Sequence, residues 1–299
     1  MIDALQNTLD GLTIGSSYAL LALGFTLIFG VMRRLNLAYG PTIMVGAYLA
    51  TWLSLEYHIG VAVAGLAAVA GAVLASLYVE RMCFAPLPES ATMASMVSSF
   101  AVWMQLEEAA TLAMPRHTYA FPALASGEPL VFGPLTLRIE QLVMLGSAAA
   151  IAMGLYSLLR YTRLGRALRA ATESPLAAQL VGIDVAGMRL RAFALAAVVG
   201  GIAGFLIAAT DQQVTPMLGM WATMKGLVAM MLGGLGSLRG AVLGGLLLGL
   251  VEAHTQWYLG PQMRDLVAFL LLFGCLAVRP NGLFGSLRPP SWGTQVARL

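Results

Sequence analysis

The stretch GLTIGSSYALLALGFTLIFGVM, residues 11–32, is uncharged and long enough to cross a lipid bilayer as a single helix. The rest of the chain has the same character, because 59% of its 299 residues are hydrophobic and only 10% are charged. Soluble domains carry about 25% charged residues, so this chain has too few to cover a water-facing surface. No basic region precedes the stretch, and we therefore expect it to be retained as a membrane span and not cleaved as a signal peptide.

Further apolar runs predict an all-α, polytopic bundle of transmembrane helices. A span needs about 20 apolar residues, and runs of that order lie near 11–32, 41–55, 59–79, 91–113, 139–159, 188–210, 222–237, 240–257 and 264–279. The second run and the glycine-rich pair at 222–257 are short, so eight spans are as defensible as nine. We expect a single transmembrane domain over residues 1–299, with loops at about 114–138 and about 160–188.

The distribution of charge predicts the orientation of the spans. With nine spans, 13 of the 17 basic residues lie on one side of the membrane, and only Arg116, Arg138, Lys225 and Arg264 lie on the other. Basic residues are enriched in cytoplasmic loops. The N-terminus is therefore predicted outside the cell and the C-terminus inside, which places the 114–138 loop outside and the 160–188 loop in the cytoplasm.

The sequence lacks the usual patterns of catalytic and nucleotide-binding sites. It has no H-E-x-x-H or G-x-S-x-G motif, and the serines within the spans have no plausible histidine partner. No G-x-x-x-x-G-K-[ST] loop occurs, so ATP would have to be bound by partner subunits. Cys83 and Cys275 are too few for a disulfide framework or a metal cluster. We expect a protein that is not an enzyme, holds no cofactor or metal, and does not bind nucleic acid.

A polar break after the first span suggests a translocation path. Asn36 lies in RRLNLAYGP, where Gly40 and Pro41 separate two apolar runs, and Gln105 lies in the fourth run. Polar groups at membrane depth are costly and often functional, and broken helices border the path in many transporters. An ordinary cytoplasmic turn that caps the second helix is the alternative. The candidates for lining the path are Asn36, Tyr39, Gly40 and Gln105.

Glycines four residues apart recur in the later spans. They are Gly200 and Gly204, Gly236 and Gly240, Gly240 and Gly244, and Gly245 and Gly249. Small residues at this spacing let helix backbones approach closely in a membrane. Tight helix packing is the favoured interpretation, and a hinge or a subunit contact is the alternative.

A short cytoplasmic helix is predicted within SPLAAQLVG, residues 174–182. Ser174 is a good N-cap, Pro175 fits the first turn, and Gly182 suits the end of a helix. A helix of about Pro175 to Val181 is marginal in water, so it needs a surface to pack on. The segment is either a basic loop against anionic lipid headgroups or a docking element for a cytoplasmic protein. The charged residues that flank it are Arg166, Arg169, Glu173 and Asp184.

Five motifs in order make the chain resemble the LivH-type permeases of branched-chain amino-acid ABC importers. They are GLTIGSSYALLALGFTLIFGV followed by LNLAYG, then LAAQLVGIDV, FALAAVVGGIAGFL, VAMMLGGLGSLRGAVLGGLLLGLVEA and RPNGLFG. LNLAYG is similar to the N-F-A-H-G stretch of that family. LAAQLVGIDV is similar to the E-A-A-x-x-x-G loop that forms the coupling helix of ABC importers. The resemblance covers nearly the whole chain.

The resemblance implies the translocation subunit of an ATP-driven importer in a bacterial inner membrane. Such a permease pairs with a second, related permease, two cytoplasmic ATPase subunits and an external substrate-binding protein. Closure of the ATPases on ATP would move the coupling helix and switch the permeases between inward-facing and outward-facing states. Carried over to this chain, the coupling motif lies on Leu176, Ala177, Ala178 and Gly182, with Leu180 and Val181 in the same helix.

Departures from the family pattern leave the solute open. Leu176 replaces the glutamate of the coupling motif, and Leu37 and Tyr39 replace the phenylalanine and histidine of N-F-A-H-G. Urea and short-chain amide importers use similar permeases, so these solutes are the alternative to branched-chain amino acids. A stand-alone channel or secondary carrier is the alternative from another class, and it would leave the 174–182 helix without a purpose.

Overall fold

The computed structural model describes residues 2–88, 91–116, 118–122, 124, 130–132 and 135–285. The helices are α1 (Ile2–Met32), α2 (Tyr39–Tyr57), α3 (Val61–Val79), α4 (Thr92–Ala113), α5 (Ile139–Tyr161), α6 (Arg163–Glu173), α7 (Pro175–Leu180), α8 (Val185–Asp211), α9 (Met217–Gly233), α10 (Leu238–Leu259) and α11 (Arg264–Val278). The strands are β1 (Tyr119–Ala120), β2 (Leu130–Phe132), β3 (Leu135–Leu137) and β4 (Gln213–Val214). A π-helical turn at Glu80–Phe84 extends α3, and a 3-10 turn at Pro261–Met263 precedes α11.

The predicted polytopic helical membrane protein is confirmed, since each of the nine apolar runs forms a long helix. Among the described residues, five helical stretches are long and apolar enough to cross a membrane on their own. The pair α9 and α10, bent by 117°, makes a sixth if the two helices form one broken span. α2 falls outside this group because it is less apolar, and it is largely buried among other helices instead of facing lipid.

α1 is the central helix of the bundle. It packs against α5, α8, α9 and α10, and the side chains of Tyr18, Leu20 and Leu21 in its middle are fully buried. α2, α3 and α8 pack against one another beside it. α5 and α11 lie at the periphery, where few of their residues are buried, as expected for helices that face lipid.

Glycines allow α1 and α10 to cross in close contact. A Cβ atom on Gly249 would lie 2.2 Å from the Gly15 Cα, and one on Gly245 would lie 2.4 Å from the Ala19 nitrogen. No side chain fits at such distances, so both positions require glycine while the helices stay in place. The predicted tight packing is seen here.

The other predicted glycines form two groups. Gly240 and Gly244 lie against α9, and Gly200 and Gly204 lie against α2. For Gly236 the packing prediction is wrong, because a Cβ there would meet no atom within 4 Å. Gly236 lies in the turn between α9 and α10 with a φ of 79°. Glycine is favoured at this position because other residues rarely adopt a positive φ.

Short strands at the predicted 114–138 loop make the all-α prediction incomplete. β1 pairs antiparallel with β4, with Tyr119 opposite Val214, and β2 pairs antiparallel with β3. Gln6 of α1 holds the second pair, because its side chain donates to the Thr136 carbonyl at 2.9 Å and accepts from the Thr136 amide at 3.1 Å. Residues 117, 123, 125–129 and 133–134 of this loop lie outside the described residues.

The predicted 160–188 loop contains α6 as well as the predicted short helix, so it is mostly helical. α6 is capped by Thr162, whose hydroxyl accepts a hydrogen bond from the Gly165 amide at 3.1 Å. α6, α7 and α8 share a small buried cluster of their own, formed by Leu168, Ala171, Ala178, Met188 and Ala192. We refer to this end of the bundle, which carries Arg33, Arg160, Arg189 and Arg239, as the arginine-rich end.

Candidate functional site

The start of α7 is held by a side-chain cap. The Ser174 hydroxyl accepts a hydrogen bond from the Ala177 amide at 3.3 Å, and Pro175 occupies the first turn. Proline suits this position because it has no N–H group to leave unpaired. The local prediction from Ser174 and Pro175 therefore agrees with the structure.

The end of α7 is held by a glycine in the left-handed conformation. Gly182 has a φ of 82°, and its N–H donates to the Gln179 carbonyl at 3.0 Å. The Ile183 N–H donates to the Ala178 carbonyl at 2.9 Å. This pair of hydrogen bonds is the Schellman motif, which satisfies the last carbonyls of a helix. α7 thus ends at Leu180, one residue before the predicted end.

α7 presents an apolar face to the exterior of the molecule. Leu176, Leu180 and Val181 are 70%, 82% and 75% exposed, and Ala177 is exposed beside them. Ala178 points the other way and is 3% exposed, within the cluster shared with α6 and α8. Contiguous exposed apolar side chains beyond the ends of the spans are typical of a surface that binds another protein.

The charged residues around α7 differ in what they contact. Asp184 accepts a hydrogen bond from the Gly187 amide at 3.0 Å and thereby caps α8. Arg169 donates to the Arg160 carbonyl at 3.4 Å. Arg166 and Glu173 are exposed, so the apolar face of α7 has a charged rim.

The polar break after α1 is a buried junction between helices. Asn36 is 2% exposed, and its Nδ2 atom has no hydrogen-bond partner among the described residues. The Tyr39 hydroxyl donates to the Ala196 carbonyl at 3.0 Å. Gly40 lets α2 lie against α9, because a Cβ there would be 2.1 Å from the Gly219 carbonyl oxygen. In this state the three predicted residues pack between helices, and their role in lining a path stays a prediction.

Gln105 lies apart from that junction. It is exposed on α4, and its side-chain oxygen accepts a hydrogen bond from the Tyr78 hydroxyl at 3.0 Å. The structure therefore brings Asn36, Tyr39 and Gly40 together but leaves Gln105 on the outer surface of α4.

An ionic cluster of Tyr18, Lys225, Glu252, Arg264 and Asp265 lies in the half of the bundle away from the arginine-rich end, with Tyr18, Lys225 and Glu252 buried and Asp265 exposed at its edge. Lys225 Nζ is 2.7 Å from Glu252 Oε1 and 2.6 Å from Asp265 Oδ1. Arg264 Nε is 2.6 Å from Glu252 Oε2, and the Tyr18 hydroxyl donates to the same oxygen at 2.7 Å. Arg264 also donates to the Tyr18 hydroxyl. Glu252, with no exposed side-chain surface, thus joins α1, α9, α10 and α11.

No motif in the sequence predicts this cluster, and counting charges only placed Lys225 and Arg264 on the outer side of the membrane. The available signal was a lysine and a glutamate within otherwise apolar runs, because charges at membrane depth are normally paired. The spacing could not name the partners, since they come from four separate helices.

A polar cavity of about 260 Å³ lies beside the ionic cluster. Two side chains of opposite charge, Asp211 and Arg264, are among its walls. The other lining residues come from α1, α5, α8 and α9 and are Thr13, Ile14, Ser17, Met144, Ile207, Thr210 and Trp221. Within the described residues, no group of three or more histidine, cysteine or acidic side chains is placed to hold a metal ion.

The sequence matches a known family over most of its length. Residues 7–276 match the family model described as branched-chain amino acid transport system / permease component. The chain is 31% identical over 294 residues to the high-affinity branched-chain amino acid transport system permease protein LivH of Escherichia coli K12, covering 94% of this chain and 95% of LivH. It is 26% identical over 322 residues to the permease protein LivM of the same bacterium, covering 95% of this chain and 71% of LivM.

A solved structure shares the overall fold. PsaBC from Streptococcus pneumoniae in complex with Fab superposes with a TM-score of 0.50 at 14% identity, covering 93% of this chain and 92% of that chain. This likeness concerns the fold alone, whereas the family is shown by the sequence match. The resemblance that the motifs indicated is confirmed: the chain is a multi-pass membrane permease component, not an enzyme, and it belongs to the branched-chain amino acid transport system permease family.

Proposed function

We propose that this protein is the translocation subunit of an ATP-driven importer for branched-chain amino acids. Membership of the family supports the class of solute. The observation that carries the coupling to ATP is α7, a capped helix whose exposed face is formed by Leu176, Leu180 and Val181. This chain has no phosphate-binding loop, so ATP would act through a contact with another subunit, and α7 provides a surface for that contact.

The packing of α7 indicates how a displacement of this helix would be transmitted to neighbouring helices. Ala178 anchors α7 to α6 and α8, and α8 runs from Val185 at the arginine-rich end to Asp211 at the opposite end. Arg189, near the start of α8, forms an ion pair at 2.9 Å with Glu80, which follows α3. Rigid helices joined by such contacts move as a unit. Displacement of α7 by an ATPase would therefore shift α8 and α3 relative to α1.

The proposed assembly has this permease, a second related permease, two cytoplasmic ATPase subunits and an external substrate-binding protein. The match to both LivH and LivM supports a homologous second permease, because these two relatives occur in one bacterium and carry the same transport-system name. Exposed apolar side chains on α5 and α11 suit contact with lipid or with that second permease.

We propose nine spans in a bacterial inner membrane, with the N-terminus outside and the arginine-rich end in the cytoplasm. Gln6, near the N-terminus, contacts Thr136 at the end opposite the arginine-rich end. Leu283, near the end of the described chain, donates from its backbone to the Leu232 carbonyl beside the α9–α10 turn. Because the two ends of the described chain lie at opposite ends of the bundle, an odd number of membrane crossings is favoured. Basic residues on the proposed cytoplasmic face agree with the usual charge bias.

Affinity purification through a tag on this chain tests the proposal. We expect an ATPase subunit and a second permease to co-purify, and Ala177→Arg to release the ATPase because a bulky charge would enter a close-packed contact. The matched control is Ala186→Arg, which adds the same charge at an exposed alanine of α8 outside α7. A chain that purifies alone and still moves leucine across liposomes would contradict the proposal, as would normal ATPase retention by Ala177→Arg.

A further inference from the structure

We infer that the polar cavity beside the ionic cluster is a binding site for a small zwitterion, which the translocated amino acid occupies on its way through the permease. The inference rests on the proposed function for the identity of the solute.

Two groups of opposite charge face this cavity without a direct contact between them. Asp211 and Arg264 both line it, yet they form no ion pair within 4.0 Å. Within the described part of the chain, the Asp211 carboxylate has no hydrogen-bond partner, and Arg264 uses only Nε and Nη2 in the ionic cluster. A carboxylate suits the remaining donors of a guanidinium, and an ammonium suits a carboxylate. A molecule that carries both a carboxylate and an ammonium group can therefore pair with Arg264 and with Asp211.

The ionic cluster fixes Arg264 in position before a ligand arrives. The Arg264 guanidinium already donates hydrogen bonds to Glu252 and Tyr18, so the Arg264 side chain loses little conformational freedom when a ligand binds. The two cations and two carboxylates of the cluster balance one another. Asp211 adds a further negative charge at the wall of the cavity, which suits the ammonium group of the ligand.

The remaining walls suit a small amino acid with an aliphatic side chain. The hydroxyls of Thr13, Ser17 and Thr210 donate to carbonyls of their own helices at 3.1, 2.7 and 2.8 Å, which leaves lone pairs to accept from an ammonium. Trp221 contributes an apolar surface. Drug-sized ligands occupy pockets of about 300–1,000 Å³, so a cavity of about 260 Å³ suits a smaller molecule.

The cavity is also connected to α7, because α8 runs from one to the other. Asp211 is the last residue of α8, and the first turn of the same helix begins beside α7. In the proposed orientation the cavity lies toward the outside, where the solute arrives. A shift of α8 driven from α7 would move Asp211 relative to Arg264 and change the distance between the two charged walls.

Protection of a thiol in the cavity tests the site directly and without ATP. In the assembled complex, with Cys83 and Cys275 of this chain changed to serine, Thr210→Cys places a thiol in the wall. We expect leucine to slow its labelling by a charged thiol reagent, and isoamylamine and 4-methylpentanoate, which each lack one charged group, to protect far less. Asp211→Asn should abolish the protection, and Asp211→Glu should restore part of it. Equal protection by all three compounds, or protection that survives Asp211→Asn, would overturn the inference.

Transport separates this inference from the proposed function. In liposomes with ATPases and binding protein, Asp211→Asn should lower ATP-driven leucine uptake by about tenfold or more, since the ammonium group of leucine loses its charged partner. Glu108→Gln, which removes an exposed carboxylate on α4 away from the cavity, is the matched control and should keep normal uptake. Uptake within twofold of wild type in Asp211→Asn would overturn the site and leave the importer standing. Leucine protection at Thr210→Cys without any ATP-driven uptake would overturn the importer and leave the site standing.

Discussion

At the arginine-rich end, Arg166 and Glu173 are exposed beside α7, whereas in the other half of the bundle Lys225 and Glu252 are buried and paired, with Arg264 half-buried beside them. The first arrangement leaves charges in water and apolar side chains of α7 uncovered. The second hides charges within an apolar bundle and satisfies each with a partner. The comparison suggests that one end of the molecule is built to bind another protein and the other end to hold helices, and the charged walls of a cavity, in place.

The largest expected effect comes from removing the shared carboxylate of the ionic cluster. Glu252→Gln would leave Lys225 and Arg264 without their common buried partner, and breaking a buried pair in this way costs about 3–5 kcal/mol. We expect a strong fall in the melting temperature of the detergent-purified protein. Glu108→Gln is the control, because it removes an exposed carboxylate of the same type. Equal melting temperatures for the two variants would show that the cluster does not stabilise the fold.

A smaller loss is expected where α1 and α10 cross. Gly249→Ala places a Cβ 2.2 Å from the Gly15 Cα, so the helices must separate, and overpacking of this kind costs about 1–3 kcal/mol. Gly146→Ala is the matched control on α5, where a Cβ meets no atom within 4 Å. The control should be neutral or more stable by up to about 1 kcal/mol, because alanine favours the helix. Thermal melting of both variants distinguishes packing at the crossing from a general effect of glycine replacement.

At the arginine-rich end, substitutions should impair coupling more than stability. Gly182→Ala forces alanine into a left-handed conformation at the end of α7, at a cost of about 1–2 kcal/mol. We expect ATPase activity stimulated by the binding protein to fall severalfold while the melting temperature changes little, because only α7 is disturbed. Gly154→Ala is the control, since a Cβ at that helical position meets no atom within 4 Å. A large loss of melting temperature in Gly182→Ala would mean that α7 belongs to the stability core.

The smallest effect is expected at the other end of α7. Ser174→Ala removes the hydroxyl that caps the helix, which costs about 1 kcal/mol. The stimulated ATPase activity should fall modestly, and Ser174→Asn, which keeps a capping oxygen, should restore it. If Ser174→Asn gives the same stimulated ATPase activity as Ser174→Ala, the Ser174 side chain contributes through an interaction other than helix capping.

Features made by neighbouring residues were largely predictable, and features made by distant residues were not. The caps of α7 followed from Ser174 and Gly182, because a cap involves only neighbours in the chain. The glycine spacing predicted close packing but also included Gly236, which lies in a turn where the spacing has no meaning. α6 was not predicted as a separate helix, because its combination of alanines and arginines is also typical of a basic loop.

The sequence by itself determined that this protein is a polytopic helical membrane protein, because a bilayer demands long apolar runs and such runs are visible without any structure. It also determined the short capped helix α7, since local hydrogen bonds suffice to define it. Only the tertiary structure decided which charges meet. Tyr18 and Glu252 are 234 positions apart and still share a hydrogen bond. Pairing of this kind depends on how helices pack across the whole bundle, and no local pattern records it.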